Sequence, residues 1–74
     1  MKVISSLRAP DGARCVDLLR REDGKFTFKQ FRQDPEDFGR WTLVADYSHT
    51  GFATKDAALS AAAATLPWFG AIYK

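Results

Sequence analysis

Residues 14–33 read Arg14-Cys-Val-Asp-Leu-Leu-Arg-Arg-Glu-Asp-Gly-Lys-Phe-Thr-Phe-Lys-Gln-Phe-Arg-Gln33. Asp-Gly between two β-prone runs is the strongest short-range hairpin signal a sequence carries. A two-residue type I′ turn at Asp23-Gly24 predicts Arg21 opposite Phe26, Leu19 opposite Phe28, Leu18 opposite Lys29 and Val16 opposite Phe31. In that register Leu19, Phe26 and Phe28 share one face, while Val16, Leu18 and Phe31 share the other. Neither face is purely polar. Unless a β-bulge moves residues across, the hairpin calls for a second layer or a partner.

Beyond the hairpin, Asp34-Pro35-Glu36-Asp37-Phe38-Gly39 reads as a loop. Pro35 cannot donate to a ladder, and Gly39 suits a turn. In Arg40 to Ser48, residues Trp41, Leu43, Ala45 and Tyr47 recur at period two, which predicts a third strand with a single apolar face. His49-Thr50-Gly51 turns the chain again. Thr54 then caps a helix, its hydroxyl accepting from the N–H of Asp56 or Ala57, with Asp56 in the first turn where the helix dipole favours an anion. The Ala-rich body runs to Leu66 and Pro67 stops it. Ala58, Leu59, Ala62 and Leu66 form the stripe expected to be buried. The tail from Pro67 to Lys74 is apolar, with Trp68, Phe69 and Tyr73, and is expected to pack on something.

On the N-terminal side, Ala9-Pro10-Asp11-Gly12 is a turn signal, and residues 1–13 are either an arm or a short extra strand around Lys2-Val3-Ile4. The expectation is an α+β fold in one domain over residues 1–74. It comprises a three-stranded antiparallel β-meander over residues 14–48 and one C-terminal α-helix over residues 54–66, packed on one face (β-β-β-α).

Composition agrees with a folded chain. Apolar residues make up 46% of its 74 residues and charged residues 27%, and six Phe, two Trp and two Tyr are too much aromatic surface to leave wet. A single Cys excludes an internal disulfide framework and any cluster built on several Cys. No apolar run approaches the roughly 20 residues of a membrane helix. The first residues, Met1 to Arg8, hold no apolar core of signal-peptide length, so a chain that is not exported is expected, in the cytoplasm, where the lone Cys15 stays reduced.

Candidate chemistry is sparse. His49 has no second His or nearby Cys to make a metal site. Cys15 reads as a small buried thiol rather than a nucleophile. The acidic loop lacks the register of a calcium loop. No Gly-rich phosphate loop, Ser-His-Asp set or Cys-x-x-Cys occurs. The expectation is therefore no catalysis, no cofactor and no metal. A net charge of +2 permits a basic patch without demanding one. On the outer sheet face, Arg20, Lys29, Phe31, Arg32 and Arg40 could track a nucleic-acid backbone and stack a base, although acidic residues between them dilute the field.

The stretches Gly24-Lys-Phe-Thr-Phe, Arg40-Trp-Thr-Leu-Val and Gly51-Phe-Ala-Thr-Lys-Asp-Ala-Ala-Leu-Ser-Ala-Ala follow one another in strand, strand, helix order. From Cys15 to Leu66 this pattern resembles that of uncharacterised short bacterial β-β-β-α proteins, a resemblance that implies no activity. It is also similar in pattern to the DNA-binding domains of plant apetala-type factors and to the arm-binding domains of phage integrases, which carry a denser set of Arg and Trp on the outer face. The expected function is a small non-catalytic protein that forms a homodimer, or binds another protein, through the sheet and the aromatic tail. Val16, Leu18, Phe31, Trp68, Phe69 and Tyr73 are the expected interface, and nucleic-acid binding through the outer sheet face is the alternative.

Overall fold

A computed structural model describes residues 1–34, 36 and 38–73. The readings of Pro35 and Asp37 in the acidic loop, and the last residue of the tail, Lys74, lie outside the described residues. Four strands, β1 (Lys2–Arg8), β2 (Arg14–Arg20), β3 (Phe26–Asp34) and β4 (Arg40–Asp46), form one antiparallel sheet in the order β1-β2-β3-β4. Two helices follow, α1 (Lys55–Thr65) and α2 (Pro67–Ile72). The α+β class and the meander are as expected. The count is corrected twice: there are four strands rather than three, and two helices rather than one.

The β2–β3 register is one residue away from the type I′ expectation. Arg21 donates its N–H to the carbonyl of Lys25 at 2.7 Å and Gly24 donates to the carbonyl of Arg21 at 3.0 Å. Gly24 has φ 85°, whereas Asp23 has no positive φ, so the two left-handed residues of a type I′ turn are not there. The loop is instead three residues, Glu22 to Gly24, ending in a left-handed glycine. Asp23 uses its carboxylate to accept from the N–H of Lys25 at 3.1 Å. Shifting the pairing by one residue moves one strand's side chains to the opposite face relative to the other's. Leu18 therefore faces Phe28, and Val16 faces Gln30.

The extra strand, β1, pairs Leu7 with Val16 and Arg8 with Cys15. Its register shifts between Val3 and Ser5, which is why no regular alternation is visible in Lys2-Val-Ile-Ser-Ser-Leu-Arg. β4 also carries an irregularity. Gln30 pairs with Ala45 but Phe31 pairs with Leu43. The period-two set is thereby split, with Trp41 and Leu43 on the Phe31 side and Ala45 on the Gln30 side. Tyr47 joins the latter side and stacks on Phe28, ring centroids 4.6 Å apart.

α1 begins and ends where its residues require. Thr54 is extended and its hydroxyl accepts from the N–H of Ala57 at 3.1 Å. Leu66 leaves the helix at φ −112°, ψ 105°, as a residue before proline must. Pro67 then opens α2, because the first helical position needs no N–H. Ala58 and Ala62 are fully buried and Leu66 nearly so. The core joins Val16 and Phe28 from the sheet to Ala62, Leu66 and Phe69 from the helices, flanked by Leu7, Tyr47, Phe52, Leu59, Trp68 and Tyr73. The tail thus folds back on its own chain. Among the described residues no helix is long and apolar enough to cross a membrane.

α2 lies so close to α1 that a Cβ on Gly70 would sit 2.6 Å from the carbonyl oxygen of Ala63. Gly70→Ala should therefore destabilise by about 2 kcal/mol, through overpacking, although alanine is intrinsically the better helix former by about 1 kcal/mol. Phe69→Ala should cost about 3–4 kcal/mol through the cavity left behind. Urea unfolding followed by circular dichroism checks both. A neutral or stabilising Gly70→Ala would show that the two helices can separate without cost.

Candidate functional site

The helices cover one face of the sheet and leave the other open. On the open face alternate residues of neighbouring strands come together: Ser6 and Arg8 from β1, Cys15 and Asp17 from β2, Phe31 from β3 and Trp41 from β4 line a shallow groove of about 210 Å³. The Arg8 guanidinium lies over the Trp41 ring, 5.3 Å from its centroid, in a cation–π contact. Leu43 pairs with Phe31 and extends the apolar strip; it is 48% exposed, and Trp41 is 36% exposed. Lys29 and Asp46 form an ion pair at 3.9 Å on the same face. Phe38 in the β3–β4 loop is 93% exposed at φ 55°, a conformation that is uncommon for an aromatic residue.

The Asp17 carboxylate organises the polar floor of the groove. It accepts from the Ser6 hydroxyl at 2.8 Å and from the Cys15 thiol at 3.4 Å. Burial, reinforced by the hydrogen bond to Asp17 and by its negative charge, pushes the Cys15 thiol up to about 11. At neutral pH this sulfur is protonated and a poor nucleophile. His49 follows β4 in an exposed turn, whereas Cys15 pairs with Arg8 at the opposite end of the sheet. The two do not form a dyad. Asp46 accepts from the N–H of Ser48 at 2.8 Å, and its carboxyl is held below the ordinary range by hydrogen bonds from Ser48, with smaller help from Lys29 and His49. No group of three or more His, Cys, Asp and Glu residues is placed to hold a metal ion among the described residues.

The expected interface residues separate. Val16, Leu18 and Phe69 are core, with 0%, 2% and 1% exposure. Trp68 and Tyr73 are half-buried against the same cluster, Phe69 standing between them at 5.6 Å and 5.4 Å. These five residues are engaged within their own chain, because the one-residue change in register turns Val16 and Leu18 toward the helices and α2 brings the tail over them. Phe31 alone lies on the open face. The expected nucleic-acid set divides too. Lys29 and Phe31 are on the open face, but Arg20 pairs with Phe26, Arg32 with Arg14 and Arg40 with Asp34, positions whose side chains belong to the helix-bearing side. The sequence singles out none of Asp17, Trp41 and Leu43 as site residues, and it also passes over Ser6 and Arg8. The signal for them was the Ala9-Pro10-Asp11-Gly12 turn, which is itself a hairpin closure: Ala9 donates to the carbonyl of Arg14 at 2.9 Å, and Gly12 has φ 73°.

No family model matches the chain, nor does any curated protein or solved structure.

The thiol is open to a direct measurement. Raising its pKa from 9.0 to about 11 lowers the thiolate fraction about 100-fold at pH 8 and below. Alkylation of Cys15 by iodoacetamide at pH 8 should therefore be at least about tenfold slower in the folded protein than in urea, because the greater nucleophilicity of a more basic thiolate offsets part of the loss. Asp17→Ala removes both the acceptor and the charge and should speed labelling of the folded protein. Equal rates in folded and unfolded chains would contradict this account of the groove.

Proposed function

We propose that the protein is a small non-catalytic interaction module that pairs with a second copy of itself through the open sheet face. The observation that carries this reading is the apolar strip Phe31, Trp41 and Leu43 left uncovered on that face. Apolar patches rimmed by polar groups mark interaction sites. The charges beside the strip, Arg8 and Lys29 against Asp17 and Asp46, cancel. A balanced field suits a surface that meets itself, since a two-fold interface places the same patch on both sides. It is a poor match for a polyanion, whose affinity rests on uncompensated cations. The nucleic-acid alternative therefore has little support on this face.

The size of the face sets the strength of the pairing. Four strands about 4.8 Å apart and seven residues of about 3.4 Å each span roughly 19 by 24 Å. That plane of roughly 450 Å² stays below the low end of specific interfaces, about 600 Å² per partner. A dimer of micromolar affinity is the consistent outcome, with two sheets stacked about 10 Å apart as in a sandwich. The protonated free thiol of Cys15 fits a reducing compartment, and we place the module in the cytoplasm.

Sedimentation velocity from about 1 to 500 µM should show the mass rising from 8.3 kDa toward twice that value. Leu43→Lys should hold the chain monomeric throughout while changing the melting temperature little, because Leu43 contributes little to the core of a single chain. A strict monomer at every concentration would overturn the reading.

A further inference from the structure

We propose that a second site, a cleft between the paired ends of β1 and β2 and the first turn of α1, binds a small phosphate-bearing organic anion of nucleotide size. Lys2 and Arg20 stand directly opposite each other across the β1–β2 ladder. Like charges directly opposite on a sheet destabilise it. A third cation is brought to the same place by the backbone. Phe26 and Phe52 exchange both N–H to carbonyl hydrogen bonds, each 2.8 Å, and so tie the approach to α1 onto the start of β3. Three residues after Phe52, Lys55 opens α1 and lines the cleft with Lys2 and Arg20.

No carboxylate joins the lining, which is completed by Val3, Ile4 and Phe26. Of the carboxylates in the adjacent hairpin, Glu22 shares a neighbouring depression with Lys2 and Arg20 and sits 3.9 Å from the Met1 ammonium, while Asp23 lies 3.1 Å from Arg21. Asp56, next to Lys55 on α1, is exposed and outside the lining. Among the described residues none of Lys2, Arg20 and Lys55 makes an ion pair. Three cations without a direct ion pair around one cleft gain most from a ligand with two negative charges, and a guanidinium fork matches the oxygens of a phosphate. The apolar side, Val3, Ile4 and the half-buried Phe26, suits a flat or aliphatic body attached to that phosphate. The volume of about 370 Å³ falls in the range of small-molecule sites, about 300–1,000 Å³. The cleft is at the opposite end of the sheet from the Arg8–Trp41 groove, so it stands or falls independently of the dimer.

The test is an amide-shift titration of the full chain with adenosine 5′-monophosphate, with inorganic phosphate and adenosine as separate arms. The nucleotide should give saturable shifts at Lys2 to Ile4, Arg20 and Lys55, and its affinity should fall as salt rises. Inorganic phosphate should bind about tenfold more weakly, and adenosine should produce no saturation. Arg20→Ala and Lys55→Ala should each weaken the nucleotide about tenfold, the loss expected for one charge-assisted contact. Both side chains are exposed, so the variants should keep the wild-type spectrum elsewhere. The proposal is overturned if the nucleotide does not saturate by about 10 mM, a limit set by the weakest useful affinity, or if Lys55→Ala leaves its affinity unchanged. Equal affinity for phosphate and nucleotide overturns the organic ligand. A short single-stranded oligonucleotide that binds the same residues more than 100-fold tighter, well beyond one extra contact, assigns the cleft to a polymer instead.

Discussion

Gly24 stands at φ 85° at the end of a three-residue turn, and the position of that one left-handed residue decides which side chains the sheet turns inward. With the turn closed between Arg21 and Lys25, Leu18 meets Phe28 and lies beneath the helices. Closed one residue shorter, Leu18 would meet Lys29, and Phe28 would sit on the face away from Val16. Burying a large apolar side chain is worth about 1.5–3 kcal/mol, and a domain of this length has only a few kcal/mol of net stability to lose. The alternative register would forfeit more than one such contribution. Turn geometry and core burial therefore select the same pairing, and each would be weak evidence without the other.

Two irregularities then distribute the remaining apolar residues. The shift in β4 sends Trp41 and Leu43 outward while keeping Ala45, and with it Tyr47, on the core side. A regular strand would have placed all four on one face, either crowding the helices or leaving Tyr47 in water. The shift in β1 lets Leu7 reach Val16 while Ser6 meets Asp17 on the opposite face. Bulges at sheet edges re-aim side chains and increase twist. Here the two outermost strands both carry one, and the open face owes its groove to them.

Much of the helical half is legible from the sequence, because its signals are local. Thr54 as cap and Pro67 as stop depend on residues within one turn of themselves. The sheet was legible only in outline. Asp23-Gly24 announces a hairpin but does not say whether its loop holds two residues or three, since Asp-Gly serves both turns. β1 was ambiguous because its bulge at Ile4 breaks the alternation that would identify a strand. For the same reason nothing local marks Arg8 and Ser6 as groove residues, and a two-residue loop groups Phe31 with Val16 and Leu18, from which the observed register separates it. The apolar tail is anomalous by composition, but only the close approach of Gly70 to Ala63 explains how it brings Phe69 into the core.

The distribution of charge separates the two surfaces more sharply than a net charge of +2 suggests. On the open face each cation has a carboxylate among its neighbours, and the field there is short-ranged. At the Lys2–Arg20 end the cations converge and outnumber the carboxylates, with Glu22 the one beside Lys2 and Arg20. Surface charges more than about 8–10 Å apart are largely screened at physiological salt, so each surface responds to its own local balance and not to the sum. A balanced apolar face and an unbalanced cleft on one small sheet are therefore compatible. The core between them, Val16 and Phe28 under Ala62 and Phe69, is what holds the two ends at a fixed separation.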